Sequence, residues 1–396
     1  MCNAELAHLI ELTVNSAMPS VMMVLDGHFP SMGGAERQLE ALSRNLAARG
    51  AAVEIVLPRL SDQHPAGADS HNGLPLWRID YPRWPLIGAL LLMLRFAWLL
   101  VRRRRHYDAI HVHIANNMAA VAAVVGRLLG KPVVLKFSGY WEFEHGSLRR
   151  TGSPAQPLLR WMLRRASAVQ AISQHLMRQL SHYGFAARQL HWIPNGVETA
   201  RFEALPRPRA QDGLRRAVFV GRLVREKNLS LLLEAWAKAG LNDRNWRLRL
   251  VGSGYQEAEL RARANDLGIA QGIEFVGPSS QVEQHLALAD VGVLVSRTEG
   301  LSNTLLEYMA AGLPVLATRI SGSEDFVETG RNGWLCEAGD LHGLIDALQS
   351  MADSDASELT RLGQQARADL LARAAMPAVV DQLVCLYRGG QPAEAR

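Results

Sequence analysis

Cysteine is scarce: 396 residues contain only Cys2, Cys336 and Cys385, an odd number with no CxxC pair. That spacing argues against a disulfide framework or a zinc ribbon and fits a reducing compartment. The first nineteen residues lack a basic start followed by an apolar block and carry Glu5 and Glu11, so they read as an extension (1–19) and not as a secretory signal. No apolar run reaches the roughly 20 residues that span a bilayer. The nearest, "PLIGALLLMLRFAWLLV" (85–101), is broken by Arg95 and followed by Arg102, Arg103, Arg104 and Arg105. Two readings of it stay open: a helix packed on a sheet, or a surface helix laid on anionic headgroups, with Leu90, Leu91, Leu94, Trp98 and Val101 at helical spacing. GxGxxG is also missing after the first strand, which weakens a dinucleotide-cofactor reading.

What is present describes an ordinary soluble α/β chain, with 48% hydrophobic and 20% charged residues. The net charge of +5 favours anionic partners such as nucleotides, phosphates or an acidic membrane face. The length implies two domains. Short apolar runs alternate with helical patterns in "SVMMVLDG", "AAVEIVLP", "DAIHVHI", "KPVVLKFSG", "SAVQAIS" and "QLHWIPNGV". After a Pro-rich, charged stretch the alternation resumes in "AVFVGRL", "WRLRLVGSG", "IEFVGP", "VGVLVSR" and "LPVLATR". Strands separated by helices predict parallel sheets covered on both faces. The divisions are 20–197, a linker at 198–214, and 215–396, whose last helix either stays or crosses back.

In such sheets ligands gather at the carboxyl ends of strands, where helix N-termini present free N–H groups. Three stretches have that form. In "FPSMGGAERQLE", Gly33 and Gly34 allow backbone amides close to an anion, although glycines also open helices for packing alone. In "VGRLVREKN", Arg222 and Lys227 sit in a strand-to-helix turn suited to a diphosphate, with Arg225 a bystander. In "TEGLSNTLLEYMAAG", Ser302 or Asn303 caps a helix, Glu299 precedes it and Glu307 lies inside it. Carboxylates there suit sugar or ribose hydroxyls, because one carboxylate accepts from a diol. The only DxD-like string, Asp353-Ser-Asp355, is far from the strand ends.

"GGAE", "VGRLVREKN", "LVGSG" and "EGLSNTLLEYMAAGLPVLAT", in this order, resemble the retaining glycosyltransferases of family 4, over about residues 20–380. The resemblance implies a GT-B fold, two Rossmann-like doubly wound domains facing across a cleft. It implies that Glu299 meets the transferred sugar and Glu307 the ribose, while Arg222 and Lys227 neutralise the departing diphosphate. Amides of Gly33 and Gly34, and of Asn303, Thr304 and Leu305, would approach phosphate or sugar. The base would lie against Gly252, Gly254 and Val276. Many members carry a His just after the strand that here reads "VVLKFSG"; this chain has Ser138 there, leaving Ser138, Gly139 and Lys136, with His113, on the acceptor side. Trp141, Glu142, Glu144 and His145 follow in a loop suited to sugar recognition.

The implied reaction moves a hexosyl or N-acetylhexosaminyl group from a UDP or GDP sugar to a glycan or lipid-linked acceptor, without metal or other cofactor. An envelope, lipopolysaccharide or exopolysaccharide pathway fits, with no nucleic-acid partner and a cytoplasmic location, peripheral on an anionic membrane face. A nucleotide-sugar epimerase of the same build, or a degenerate partner protein without chemistry, are the alternatives.

Overall fold

The computed structural model describes residues 18–30, 33–85, 87–139, 143, 146, 148, 155–203 and 213–392. Trp141, Glu142, Glu144, His145, Cys2 and most of the extension lie outside them, as do residues 204–212 of the expected linker.

The chain forms two units. The first takes the described residues up to Ile172, Leu176–Gly196 and everything from Met376 on; the second takes Ser173–His175 and Val197–Ala375. Val197 bridges to Ala375, Phe202 is buried and Arg201 pairs with Glu283 at 2.8 Å, so the expected linker begins as packed structure of the second unit. Of the two alternatives for the last helix, Met376–Tyr387 takes the crossing one and joins the first core.

The first sheet has eight strands: β1 (Val21–Leu25), β2 (Val53–Pro58), β3 (Gly67–His71), β4 (Leu74–Ile79), β5 (Ala109–His113), β6 (Val133–Phe137), β7 (Ala168–Ala171) and β8 (Leu190–Trp192). Their order is β3-β4-β2-β1-β5-β6-β7-β8, parallel except for β3. β1, β5, β6 and β7 are buried at every position, as strands covered on both faces must be. The helices Gly34–Ala48 and Met376–Tyr387 share one core with Met23, Leu25 and Val134. On the opposite face Asn117–Leu128 presses so close that a Cβ at Gly126 would come within 2.2 Å of Val133. The alternation read from sequence contains no β3–β4 hairpin. Its turn, Asn72-Gly73, takes positive φ at both residues (50° and 81°), as a two-residue hairpin turn requires.

The second sheet is wholly parallel: β9 (Arg215–Val220), β10 (Trp246–Val251), β11 (Ile273–Gly277), β12 (Val291–Leu294), β13 (Val315–Arg319) and β14 (Gly333–Glu337), in the order β11-β10-β9-β12-β13-β14. Trp236, Trp246, Phe219 and Leu348 anchor its core. Each sheet reverses its winding once, at β1/β5 and at β9/β12, and these switch points open the crevices where doubly wound sheets take ligands. Among the described residues no helix is long and apolar enough to cross a membrane.

Candidate active site

The switch point of the second sheet brings together two turns far apart in sequence. One follows β9 and carries Arg222 and Lys227; the other follows β12 and carries Glu299. Lys227 Nζ donates to Glu299 Oε1 at 2.5 Å, and Ser296 Oγ donates to the same oxygen at 2.6 Å. Both partners of the ion pair are mostly covered, at 17% and 15% side-chain exposure, so it is less screened by solvent than a surface pair. Two more bonds tie the turns: the Arg297 amide to the Glu226 carbonyl at 2.9 Å, and Arg297 Nε to Asn228 Oδ1 at 3.2 Å. Asn228 holds the bend with φ of 56°, a left-handed conformation that Asn tolerates. Arg222 is exposed, and its guanidinium has no partner among the described residues. The two expected cations therefore stand differently: Arg222 faces solvent, whereas Lys227 is already engaged by the acid expected to hold the sugar.

Behind the turns the packing is tight. Of the two expected caps, Ser302 and Asn303, it is Ser302 that takes the cap position of the helix Asn303–Ala310, although its buried side chain makes no cap bond. The amides of Asn303, Thr304 and Leu305 form its first turn, and Glu307 lies half-buried in its second. Tyr308 fixes this helix to the sheet: its hydroxyl accepts from the Val220 amide at 2.8 Å, and burial pushes the phenol far above its ordinary range. A Cβ at Gly292 would fall 2.3 Å from that ring. Gly322, at φ of 84°, backs the Glu299 turn, where a Cβ would sit 2.5 Å from the Gly300 carbonyl.

Gly252 and Gly254, expected beside the base, have a packing reason of their own. A Cβ at Gly252 would lie 1.9 Å from the Gly221 carbonyl, and one at Gly254 2.2 Å from that of Leu223. The turns after β9 and β10 run that close, joined by Gly221 N to Val251 O and Leu223 N to Ser253 O, both 2.9 Å. Val276 is half-buried in β11.

At the switch point of the first sheet, Gly33 caps the helix Gly34–Ala48 with extended backbone. The Glu36 carboxylate lies over it, where an added Cβ would meet Oε2 at 2.1 Å. An acid of the helix's own first turn thus lies close to the backbone expected to meet an anion. Across the crevice, Ile114 takes φ of 66°, a strained conformation for a β-branched residue. Burial raises the carboxyl of Asp26, opposed by a bond from the Met118 amide.

His113 does not reach the surface. It is fully enclosed, with neither ring nitrogen hydrogen-bonded, in a register row with Lys136 and Gln170. His111 stacks on it at 4.5 Å between centroids and shares a 2.7 Å hydrogen bond with Tyr387 of the last helix. Burial, reinforced by the charge of Lys136, pushes His111 down to about 3; burial first, then His111 and Lys136, hold His113 well below its ordinary range. The acceptor-side expectation for His113 is corrected on this ground: a strand residue under a helix has no open face. Ser138 is half-buried and Gly139 buried.

Asp353 and Asp355 have structural duties, since Asp353 pairs with Arg244 and Asp355 caps the helix Ala356–Ala374 through the Glu358 amide. Among the described residues no three His, Cys, Asp or Glu side chains gather as metal ligands do. Ser296, Asn228, Arg297, Tyr308 and Gly322 escaped the sequence reading; all but Ser296, whose partner Glu299 is three residues on, act through a neighbour distant in the chain.

Known proteins match this chain in sequence and in fold. Residues 32–201 match the family described as Glycosyltransferase Family 4, and residues 215–354 the one described as Glycosyl transferases group 1. The chain belongs to the family 4 glycosyltransferases. It is 24% identical over 375 residues to the N-acetyl-alpha-D-glucosaminyl L-malate synthase of Bacillus anthracis, covering 91% of this chain and 94% of that one. It is 32% identical over 197 residues to the lipopolysaccharide core biosynthesis glycosyltransferase LpsE of Rhizobium meliloti, covering 49% and 56%. The fold is GT-B: the structure of Anabaena Alr3699/HepE, solved with UDP, superimposes with a TM-score of 0.74 at 21% identity over 92% of this chain and 98% of that one.

Proposed function

We propose that this glycosyltransferase moves a hexosyl or N-acetylhexosaminyl group from a UDP sugar to an acceptor hydroxyl of an envelope glycan, with retention at the anomeric carbon. The observation that carries the reading is the convergence of Lys227 and Glu299 at the β9/β12 switch point, 2.5 Å apart, beside the exposed Arg222. Cations there oppose the charge that grows on a departing diphosphate, and a carboxylate there accepts from sugar hydroxyls. The UDP complex of HepE and the lipopolysaccharide role in the name of LpsE support the donor and the pathway.

In the transition state the bond from the anomeric carbon to the phosphate oxygen breaks while a bond to the acceptor oxygen forms on the same face. The leaving phosphate oxygen takes the acceptor proton. Lys227, Arg222 and the amides of Asn303, Thr304 and Leu305 stabilise that phosphate, so the reaction needs no metal ion. Glu299 orients the sugar and Glu307 holds the ribose, with Gly252, Gly254 and Val276 beside the base. Gly33 and Gly34 present amides to phosphate, and Ser138 and Gly139 line the acceptor side. The enzyme works in the cytoplasm, peripheral on the inner face of the plasma membrane.

Calorimetric titration with UDP, GDP and ADP tests the donor, and mass spectrometry of UDP-sugar mixtures with and without lipid-linked acceptors tests the transfer. Binding of UDP and acceptor-dependent release of UDP are expected. Consumption of UDP-N-acetylglucosamine without acceptor, yielding its epimer, would move the assignment to an epimerase. Failure to bind any nucleoside diphosphate would leave a protein without this chemistry.

A further inference from the structure

Twelve large hydrophobic side chains are exposed among the described residues, and nine of them lie on or beside three helices of the first unit. Ile87–Arg102 packs against Asn117–Leu128, which packs in turn against Gln156–Leu163, so the three form one layer. Ile87–Arg102 is apolar on two sides. Leu92, Phe96, Leu99 and Leu100 point into the protein. Ile87, Leu90, Leu94, Trp98 and Val101, one helical stripe on the other side, are 43–60% exposed. The neighbouring helices add Leu128 at 80%, Leu158 at 59% and Trp161 at 48% exposure. In the second unit the exposed hydrophobics, Tyr255, Leu288 and Leu371, are widely separated in sequence, and such single residues need no explanation.

Charge on this layer has one sign. The three helices contain no Asp or Glu, and the stretch from Tyr81 to Tyr107 holds six arginines and no acid. From residue 81 to residue 197 there are sixteen Lys and Arg against three acids, in a chain whose net charge is only +5. Arg103 is tied down by Glu54 and stacks on Trp77 at 4.1 Å, but Arg102, Arg104 and Arg105 are exposed. Arg102 lies over Trp98 at 4.9 Å and Arg165 over Trp161 at 4.3 Å. Tryptophan with a cation on its face is suited to the boundary between acyl chains and headgroups.

We infer that this three-helix layer docks on an anionic lipid bilayer. Ile87–Arg102 lies in the plane of the interface with Leu90, Leu94 and Trp98 inserted, and the arginines at its end meet lipid phosphates. A second copy of this chain fits poorly, because it would set the same arginines against these. The inference deepens the peripheral location proposed above by assigning it a surface and a lipid chemistry, and it holds or fails without donor or acceptor.

The full chain is to be sedimented with vesicles of phosphatidylcholine containing phosphatidylglycerol, and with vesicles of phosphatidylcholine alone. Binding to the anionic vesicles, weakened by salt and by omission of phosphatidylglycerol, is expected. The pair Leu94→Glu and Trp98→Glu, and separately the set Arg102→Gln, Arg104→Gln and Arg105→Gln, should each lower vesicle binding by about tenfold or more. Thermal denaturation and UDP titration should be unchanged in both. No binding by the wild-type chain overturns the inference, as does binding that ignores both variants. A wild-type dimer that Leu94→Glu and Trp98→Glu split, with no vesicle binding, overturns it in favour of a second copy. Vesicle binding by a chain that takes no UDP leaves the inference standing and removes the donor assignment instead.

Discussion

Lys227 Nζ and Glu299 Oε1 lie 2.5 Å apart, each occupied by the other, although one is assigned to the diphosphate and the other to the sugar. On the proposed roles, a donor diphosphate competes with Glu299 for the three N–H donors of the Lys227 ammonium. Lys227→Ala should weaken UDP binding by about 10- to 100-fold, the worth of a charge-assisted bond. Glu299→Gln frees the lysine, so UDP binding should stay equal or tighten while transfer falls by about 100-fold or more. Calorimetry and product analysis read the two effects separately; a Glu299→Gln enzyme with normal turnover would contradict the sugar-holding role.

Ser296 is fully buried, and its hydroxyl bonds the same Glu299 oxygen at 2.6 Å while Thr318 Oγ1 donates to its carbonyl at 2.7 Å. On the proposed mechanism, in which the diphosphate recruits Lys227, this bond keeps Glu299 oriented. Ser296→Ala should cut kcat by about tenfold, the effect of one hydrogen bond to a charged group. UDP affinity should not change. An equal loss in both would mean a general disturbance of the turn.

Gly252 has φ of 138° and no space for a Cβ against the Gly221 carbonyl. Gly252→Ala should destabilise the second unit by about 2–3 kcal/mol, read as a lower urea midpoint. An unchanged midpoint would show that the two turns part without cost.

His111 and His113 are neutral in the folded chain, their protonated forms disfavoured chiefly by burial. Unfolded, both titrate near 6.5. Between that value and the depressed folded ones the unfolded chain binds more protons, so stability is present above pH 6.5 and is lost on acidification. The slope is up to about 1.4 kcal/mol per pH unit for each imidazole. Urea denaturation at pH 7 and pH 5 measures it. His113→Leu, which leaves no hydrogen-bond partner behind, should flatten the dependence by about one proton; an unaltered slope would refute the assignment.

The doubly wound pattern was legible because parallel strands buried on both faces are continuous apolar runs, as in Val21–Leu25 and Val291–Leu294. β3 (Gly67–His71) and β14 (Gly333–Glu337), edge strands of mixed composition, carry no such run. The acid and cation positions were legible as a spaced motif. Their pairing was not, nor the Tyr308 and Asn228 contacts around them. Lys227 and Glu299 are 72 residues apart, Val220 and Tyr308 are 88, and no local pattern encodes a bond across that distance. The helix Ile87–Arg102 shows the reverse: its sequence already signalled an apolar side for packing and a second apolar side, and the structure buries the first and exposes the second.

Met376–Tyr387 supplies Met376, Val379, Val380, Leu383 and Tyr387 to a core otherwise built from the first two hundred residues, and Arg49 clasps it through Asp381 at 2.5 Å. During synthesis the amino-terminal lobe must therefore wait, that face of its sheet only partly covered by Gly34–Ala48, until the ribosome has passed residue 387. A fragment stopping at residue 196 lacks its own lid, whereas a chain cut after residue 375 strands the same apolar floor in water.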